Sequence, residues 1–117
     1  MGRDFTPYHP RMIIRGGSNV SPAEVERAIR EEDGIRDAAV VGIPDPIYGE
    51  AVVAAVVLAA GVKLDVDQLR ARLANQLAAF KVPTEFLVLD QLPSNATTGK
   101  LDRREIRALA TKEGAAP

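Results

Sequence analysis

Apolar positions recur along this 117-residue chain with two different periods, and the exchange of one period for the other marks out its elements. Val25, Ala28 and Ile29 fall on one face of a helix. The segment Ser21-Pro22-Ala23-Glu24 supplies its start. Ser21 is the expected N-cap, Pro22 takes the first helical position, where a missing N–H is harmless, and Glu24 is expected to reach back in a capping box. Gly34 is the expected stop. Val66, Leu69, Leu73 and Leu77 repeat about one turn apart and predict a second helix, opened by Asp65 with Gln68 in its first turn. A third, short helix is predicted from Asp102 and Glu105, carrying Ile106 and Leu109.

Between these patterns lie apolar runs without the helical period. Residues 12–15 predict a short strand that ends at Gly16-Gly17. Residues 38–43 and 51–60 are Val- and Ala-rich runs of strand length, separated by Pro44-Asp45-Pro46 and Gly49, and predict two neighbouring buried strands. Lys81-Val82-Pro83 closes the second helical region, residues 85–89 alternate as a further strand, and residues 92–100 form a polar loop. The order is strand, helix, strand, strand, helix, strand, loop, helix. It predicts the α+β class: a small mixed or antiparallel sheet of about three to five short strands, covered on one face by two to three helices. Residues 1–11 mix Pro7, Pro10 and charges without any period and read as a leader, residues 12–110 as one folded domain, and residues 111–117 as a flexible tail.

Composition narrows the chemistry. Hydrophobic residues make up 46% and charged residues 26%, a balance that folds. A formal charge of -1 provides no field to collect a polyanion, so nucleic acid is not an expected partner. With no cysteine there are no disulfides and no thiolate nucleophile, and His9, the single histidine, cannot build a metal site or a catalytic triad alone; no metal is expected. The longest apolar run, residues 51–61, is about half the length of a membrane-spanning helix, and the N-terminus lacks a signal pattern. A cytoplasmic protein without a membrane span is expected.

Without a Gly-rich phosphate loop or a His pair, chemistry must come from Lys, Arg, carboxylates or backbone. The segment Ser94-Asn95-Ala96-Thr97-Thr98-Gly99-Lys100 is the best candidate: small polar residues that cannot bury themselves, a glycine that lets backbone approach a ligand, and a cation at the end. Leu101 and Asp102 would anchor the chain behind Lys100, whose ammonium suits an anionic transition state at a phosphoryl or adenylyl group. Taken alone, the same residues read more readily as one more solvated surface lysine, since isolated Gly-Lys pairs are common.

Four stretches, in order, resemble the C-terminal domain of acyl- and aryl-CoA synthetases of the adenylate-forming superfamily. They are Met12-Ile13-Ile14-Arg15-Gly16-Gly17-Ser18-Asn19-Val20 with Ser21-Pro22-Ala23-Glu24-Val25-Glu26, Val40-Val41-Gly42-Ile43-Pro44-Asp45-Pro46-Ile47-Tyr48-Gly49-Glu50, Phe80-Lys81-Val82-Pro83, and Leu92-Pro93 through Gly99-Lys100-Leu101. The resemblance implies a lid that closes over a larger N-terminal adenylation domain, in cis or in trans, and is inactive without it. ATP, with magnesium held mainly by that larger domain, and coenzyme A are the implied co-substrates, neither bound tightly by the lid alone. Lys100 is then the implied catalytic residue for acyl-adenylate formation, supported by Thr98 and Gly99. Gly16, Gly17, Tyr48 and Lys81 are implied on a second face that meets the pantetheine arm, the adenine and a phosphate of coenzyme A. Gly16-Gly17 reads equally as a strand-to-loop turn, and Tyr48 as a packing residue. A lysine acetyltransferase acting on Lys100 is a further implied partner.

The chain departs from the family at three places. Pro10 stands where the hinge usually carries Asp or Lys, Val82 and Thr84 replace basic residues that often follow Lys81, and the stretch between Pro93 and Gly99 is one residue longer than is common. A free-standing, non-catalytic lid-like module and the lid of a peptide-synthetase adenylation domain are the alternative readings.

Overall fold

In the computed structural model, which describes residues 11–114, the two Val- and Ala-rich runs form the longest elements. They are β3 (Ile35–Asp45) and β4 (Gly49–Leu58), paired antiparallel from Ile35↔Leu58 to Asp45↔Gly49. The turn between them is held by Asp45, whose carboxylate accepts the N–H groups of Ile47 (2.8 Å) and Tyr48 (3.0 Å). Those bonds, that of Tyr48 first, hold the Asp45 pKa below its ordinary value. A third strand, β5 (Glu85–Val88), runs parallel to β4 in the register Val53↔Glu85, giving a mixed sheet of order β3-β4-β5. The parallel pairing follows from the crossover through α2 (Val66–Ala74) and a single 3-10 turn (Ala79–Lys81).

The caps expected from the sequence are made at their backbone ends. Ser21 Oγ accepts the Glu24 N–H (3.3 Å) at the start of α1 (Pro22–Arg30), and Asp65 accepts the Gln68 N–H (3.1 Å) at the start of α2. Asp102 likewise accepts from Glu105 (3.1 Å) where α3 (Arg103–Gly114) begins. Two details differ. Glu24 turns its carboxylate to the Lys81 ammonium (3.0 and 3.2 Å) rather than back along its own helix. Helix α1 ends at Arg30 with Glu31 as its C-cap, and Gly34 (φ 87) serves the turn into β3, where its carbonyl accepts the Ala59 N–H (2.8 Å).

The expectation of helices on one face is corrected by the packing. Helices α1 and α2 cover one face, where Val25, Ile29, Leu69 and Leu73 pack on Val40, Val52, Ala54 and Val56. Helix α3 covers the other, with Ile106 and Ala110 against Ala39, Val41, Val53, Ala55 and Leu87. The reason lies in the strands themselves. Neither β3 nor β4 alternates apolar with polar; Ala38–Val41 and Ala51–Val57 are buried throughout, so both faces need cover. A separate hairpin, β1 (Ile13–Arg15) with β2 (Ser18–Val20), places Ile13 and Val20 in the first of these cores. The leader or altered hinge expected over residues 1–11 lies, except for Arg11, outside the described residues, as do the last three residues of the expected tail. No helix among the described residues is long and apolar enough to cross a membrane.

Candidate functional site

Lys100 stands at the end of a braced turn. Asn95 organises it: its side-chain oxygen accepts the N–H groups of Thr97 (2.8 Å) and Thr98 (3.0 Å), its carbonyl accepts from Gly99 (2.7 Å), and its own N–H donates to the Lys100 carbonyl (2.7 Å). Gly99, at φ 74, supplies the left-handed residue that closes the turn. Thr98 Oγ1 accepts the Lys100 N–H (3.2 Å), so Thr98 and Gly99 both lie in the turn that ends at the lysine. Behind it, Ser94 pairs with Leu101 in an isolated bridge and the Asp102 N–H donates to the Pro93 carbonyl (2.9 Å). The side chain of Lys100 is exposed and meets no hydrogen-bond or ion-pair partner among the described residues. It borders a shallow concavity of ≈ 340 Å³ shared with Asn95, Thr98 and the first residues of α3. The turn therefore presents a cation on a hydrogen-bonded base, with its four-carbon arm exposed.

A second concavity, of ≈ 380 Å³, lies away from this turn, between the β1-β2 hairpin, the β3-β4 turn and the 3-10 turn. Arg15, Gly16, Ser18, Tyr48, Ala79 and Phe80 line it. Gly16 and Gly17 both have positive φ (59 and 83), the requirement of a tight hairpin turn, which settles their local role. The hairpin is docked on the Tyr48 turn by the Gly16 N–H, which donates to the Tyr48 carbonyl (2.7 Å), and by Arg15, whose guanidinium lies 4.5 Å from the Tyr48 ring centroid and donates to the Glu50 carbonyl (2.9 Å). Gly16 and Tyr48, far apart in sequence, are thus brought together, while Gly17 is not among the residues that line the concavity. Lys81 is adjacent, its ammonium 5.8 Å from the Phe80 ring centroid, but the Glu24 carboxylate engages it.

A Cβ on Gly17 would touch nothing within 4 Å, so Gly17→Ala isolates the backbone cost of that turn. We expect a loss of about 1–2 kcal/mol, read as a lower urea midpoint with unchanged slope, and a smaller loss for Gly17→Asn, because Asn tolerates the left-handed region.

Sequence reasoning missed Arg15 and Phe80, although both stand beside residues it singled out. It also missed a buried ionic cluster. Glu26, only 4% exposed, accepts the Val40 N–H (2.8 Å) and pairs with Arg103 Nη1 (2.7 Å), which in turn donates to the Val40 carbonyl (2.6 Å). Burial pushes the Glu26 carboxyl up against the opposing pull of the Val40 N–H and Arg30, while burial and the nearby Arg107 charge lower Arg103 to about 10, so Arg103 stays charged at neutral pH. The available signal was weak: Glu26 faces inward with Val25 and Ile29 on α1, but nothing local names its partner. Among the described residues no group of three His, Cys, Asp or Glu is placed to hold a metal ion.

The family model for the AMP-binding enzyme C-terminal domain matches residues 24–100. The feruloyl-CoA synthase of an Amycolatopsis species is 44% identical over 96 residues, which cover 82% of this chain and 19% of that protein. The sulfoacetate–CoA ligase of Cupriavidus necator is 38% identical over 95 residues, 81% of this chain and 18% of its own length. Among solved structures, apo MatB from Rhodopseudomonas palustris superposes with a TM-score of 0.81 at 36% identity, over 87% of this chain and 20% of that one. The chain thus spans about a fifth of the length of the proteins it matches.

Proposed function

The chain belongs to the AMP-binding enzyme C-terminal domain family, and from that premise we propose that it is the lid of an ATP-dependent acid:coenzyme A ligase. The observation that carries this reading is Lys100: an exposed cation without a partner among the described residues, at the tip of a turn braced by the hydrogen bonds of Asn95. In the first half-reaction a carboxylate oxygen of the acid bonds to the α-phosphorus of ATP and the bond to pyrophosphate breaks. Negative charge concentrates on the carboxylate and α-phosphate oxygens as this happens, and the Lys100 ammonium, delivered by the lid, offsets it where water is excluded. A braced turn suits the task, because hydrogen bonds within it already set the backbone that carries the ammonium.

In the second half-reaction the lid turns about its hinge, Lys100 withdraws, and the thiol of coenzyme A attacks the acyl carbonyl with AMP leaving. The concavity beside Gly16-Gly17 is the proposed path of the pantetheine arm, since a side chain at Gly16, which lines it next to Tyr48, would narrow it, and Tyr48 is the proposed contact for adenine. Lys81 meets a coenzyme phosphate in this scheme only by giving up Glu24 for it. The names of the relatives carry acids as different as sulfoacetate and ferulate, which supports a choice of acid made outside this segment. Acetylation of Lys100 by a lysine acetyltransferase would remove the charge and is expected to stop the first half-reaction alone.

The test is complementation. Added to, or fused with, the N-terminal domain of an acid:coenzyme A ligase, the chain should raise pyrophosphate release above that domain's own background. Release that stays at background in both arrangements would make this a non-catalytic module instead.

A further inference from the structure

In the three-stranded sheet β3 is an edge, and an edge strand presents unpaired N–H and C=O groups. At Val40 both are taken up by side chains: the N–H by Glu26 of α1 and the C=O by Arg103 of α3. The two side chains also pair with each other, so the cluster spans the edge from the helix on one face to the helix on the other. Arg30 completes it, donating to the Ala38 carbonyl (2.8 Å) and lying 3.8 Å from Glu26 Oε1. Arg103 is the first residue of α3 and follows Lys100 by three positions; its side chain is 11% exposed.

A buried ion pair of this kind adds little net stability, since the loss of hydration opposes the attraction, and apolar side chains of similar volume would hold the helix as firmly. What apolar packing cannot do is fix direction. Ile106 and Ala110 hold α3 against the sheet by non-directional contact, which tolerates small sliding and rotation. A guanidinium shared between a carboxylate and a carbonyl on a third element does not. Because the Lys100 turn is tied to the start of α3 through Leu101 and Asp102, the orientation of that first turn is inherited by the lysine.

We infer that Glu26 and Arg103 are positioning residues for Lys100, fixing the first turn of α3 on the β3 edge so that the ammonium meets the reacting groups in register. The inference rests on the lid reading above. Displacement of a reacting group by about 1 Å costs on the order of 100-fold in rate, so a pair that removes such play acts on the rate constant rather than on substrate affinity.

Two variants test it, Arg103→Lys, which keeps the charge but cannot hold both partners, and Glu26→Gln, which keeps shape and an acceptor for Val40. In the chain joined to an adenylation domain, each should lower kcat for adenylate formation by about 10- to 100-fold, change KM for ATP and acid by less than about threefold, and leave thioester formation from preformed acyl-adenylate unchanged. In the chain alone, amide exchange at Gly99, Lys100 and Leu101 should quicken while exchange in β4 stays as it was. The inference is overturned if exchange at the turn is unchanged, or if both half-reactions fall together or neither falls while Lys100→Ala still stops adenylation. If Lys100→Ala itself spares adenylation, the lid reading fails first and this inference with it. Should one variant not fold, the other decides by the same readouts.

Discussion

Lys100→Ala, in the chain joined to an adenylation domain, is expected to lower the rate of acyl-adenylate formation by about 100- to 1000-fold, the usual effect of removing one charge-stabilising donor from a water-excluded site. Thioester formation from preformed acyl-adenylate should proceed as before, since in that half-reaction the lysine is withdrawn. The split between the two rates is the informative part. The variant should also melt with the parent chain, within about 0.5 kcal/mol, because Lys100 is exposed and the turn beneath it is held by Asn95 and Thr98 rather than by the lysine side chain. Equal loss in both half-reactions would assign Lys100 to a general role in lid closure, and no loss in either would return it to the solvated lysines of the surface.

The second large effect is expected in stability. Ile106 is fully buried where α3 meets the second face of the sheet, among Ala39, Val41, Val53 and Ala55. These neighbours are small and fixed on paired strands, so the space left by Ile106→Ala cannot be refilled by collapse. A loss of about 2–5 kcal/mol is expected, against a total stability of roughly 5–15 kcal/mol for a domain of this kind. Urea unfolding checks it: the midpoint should fall steeply with the slope unchanged. A change below about 0.5 kcal/mol would mean that α3 is not part of the cooperative core. Leu109, partly exposed on the same helix, should cost less on the same substitution.

These two residues illustrate how unevenly the molecule can be read from its sequence. That α3 exists was legible, because Asp102, Glu105 and Ile106 carry a cap and an apolar position within one turn. Which face it covers was not, although the uninterrupted apolar runs of β3 and β4 imply two buried faces once they are known to be adjacent. The strand β2 escaped notice because Ser18-Asn19-Val20 carries a single apolar residue and pairs only through the turn at Gly16-Gly17. Glu24 shows the converse: a capping box is a local expectation, and a lysine from a distant turn overrode its side-chain half.

The candidate site divides in the same way. Lys100 was identifiable as a cation after a glycine on a polar stretch, and that stretch with three others earlier in the chain carries the family resemblance. The bracing of its turn was not foreseen, for it depends on one asparagine accepting two particular N–H groups. The second concavity is wholly tertiary, assembled from a hairpin, a strand turn and a 3-10 turn that no spacing relates.

By itself, then, the sequence determined what is local: the three helix starts, the two long buried strands, the left-handed glycines at turns and the lysine on its loop. Periodicity, caps and backbone preferences act over a few residues, so they can be read from a few residues. Only the tertiary structure decided that β5 lies parallel to β4, that helices cover both faces, that Gly16 meets Tyr48, and that Glu26 and Arg103 close the β3 edge beneath Lys100. Each of those is a choice of partner among chemically equivalent candidates far apart in the chain, and that choice is made by how the apolar faces pack, which brings the Glu26 carboxylate and the Arg103 guanidinium to the same residue of the β3 edge.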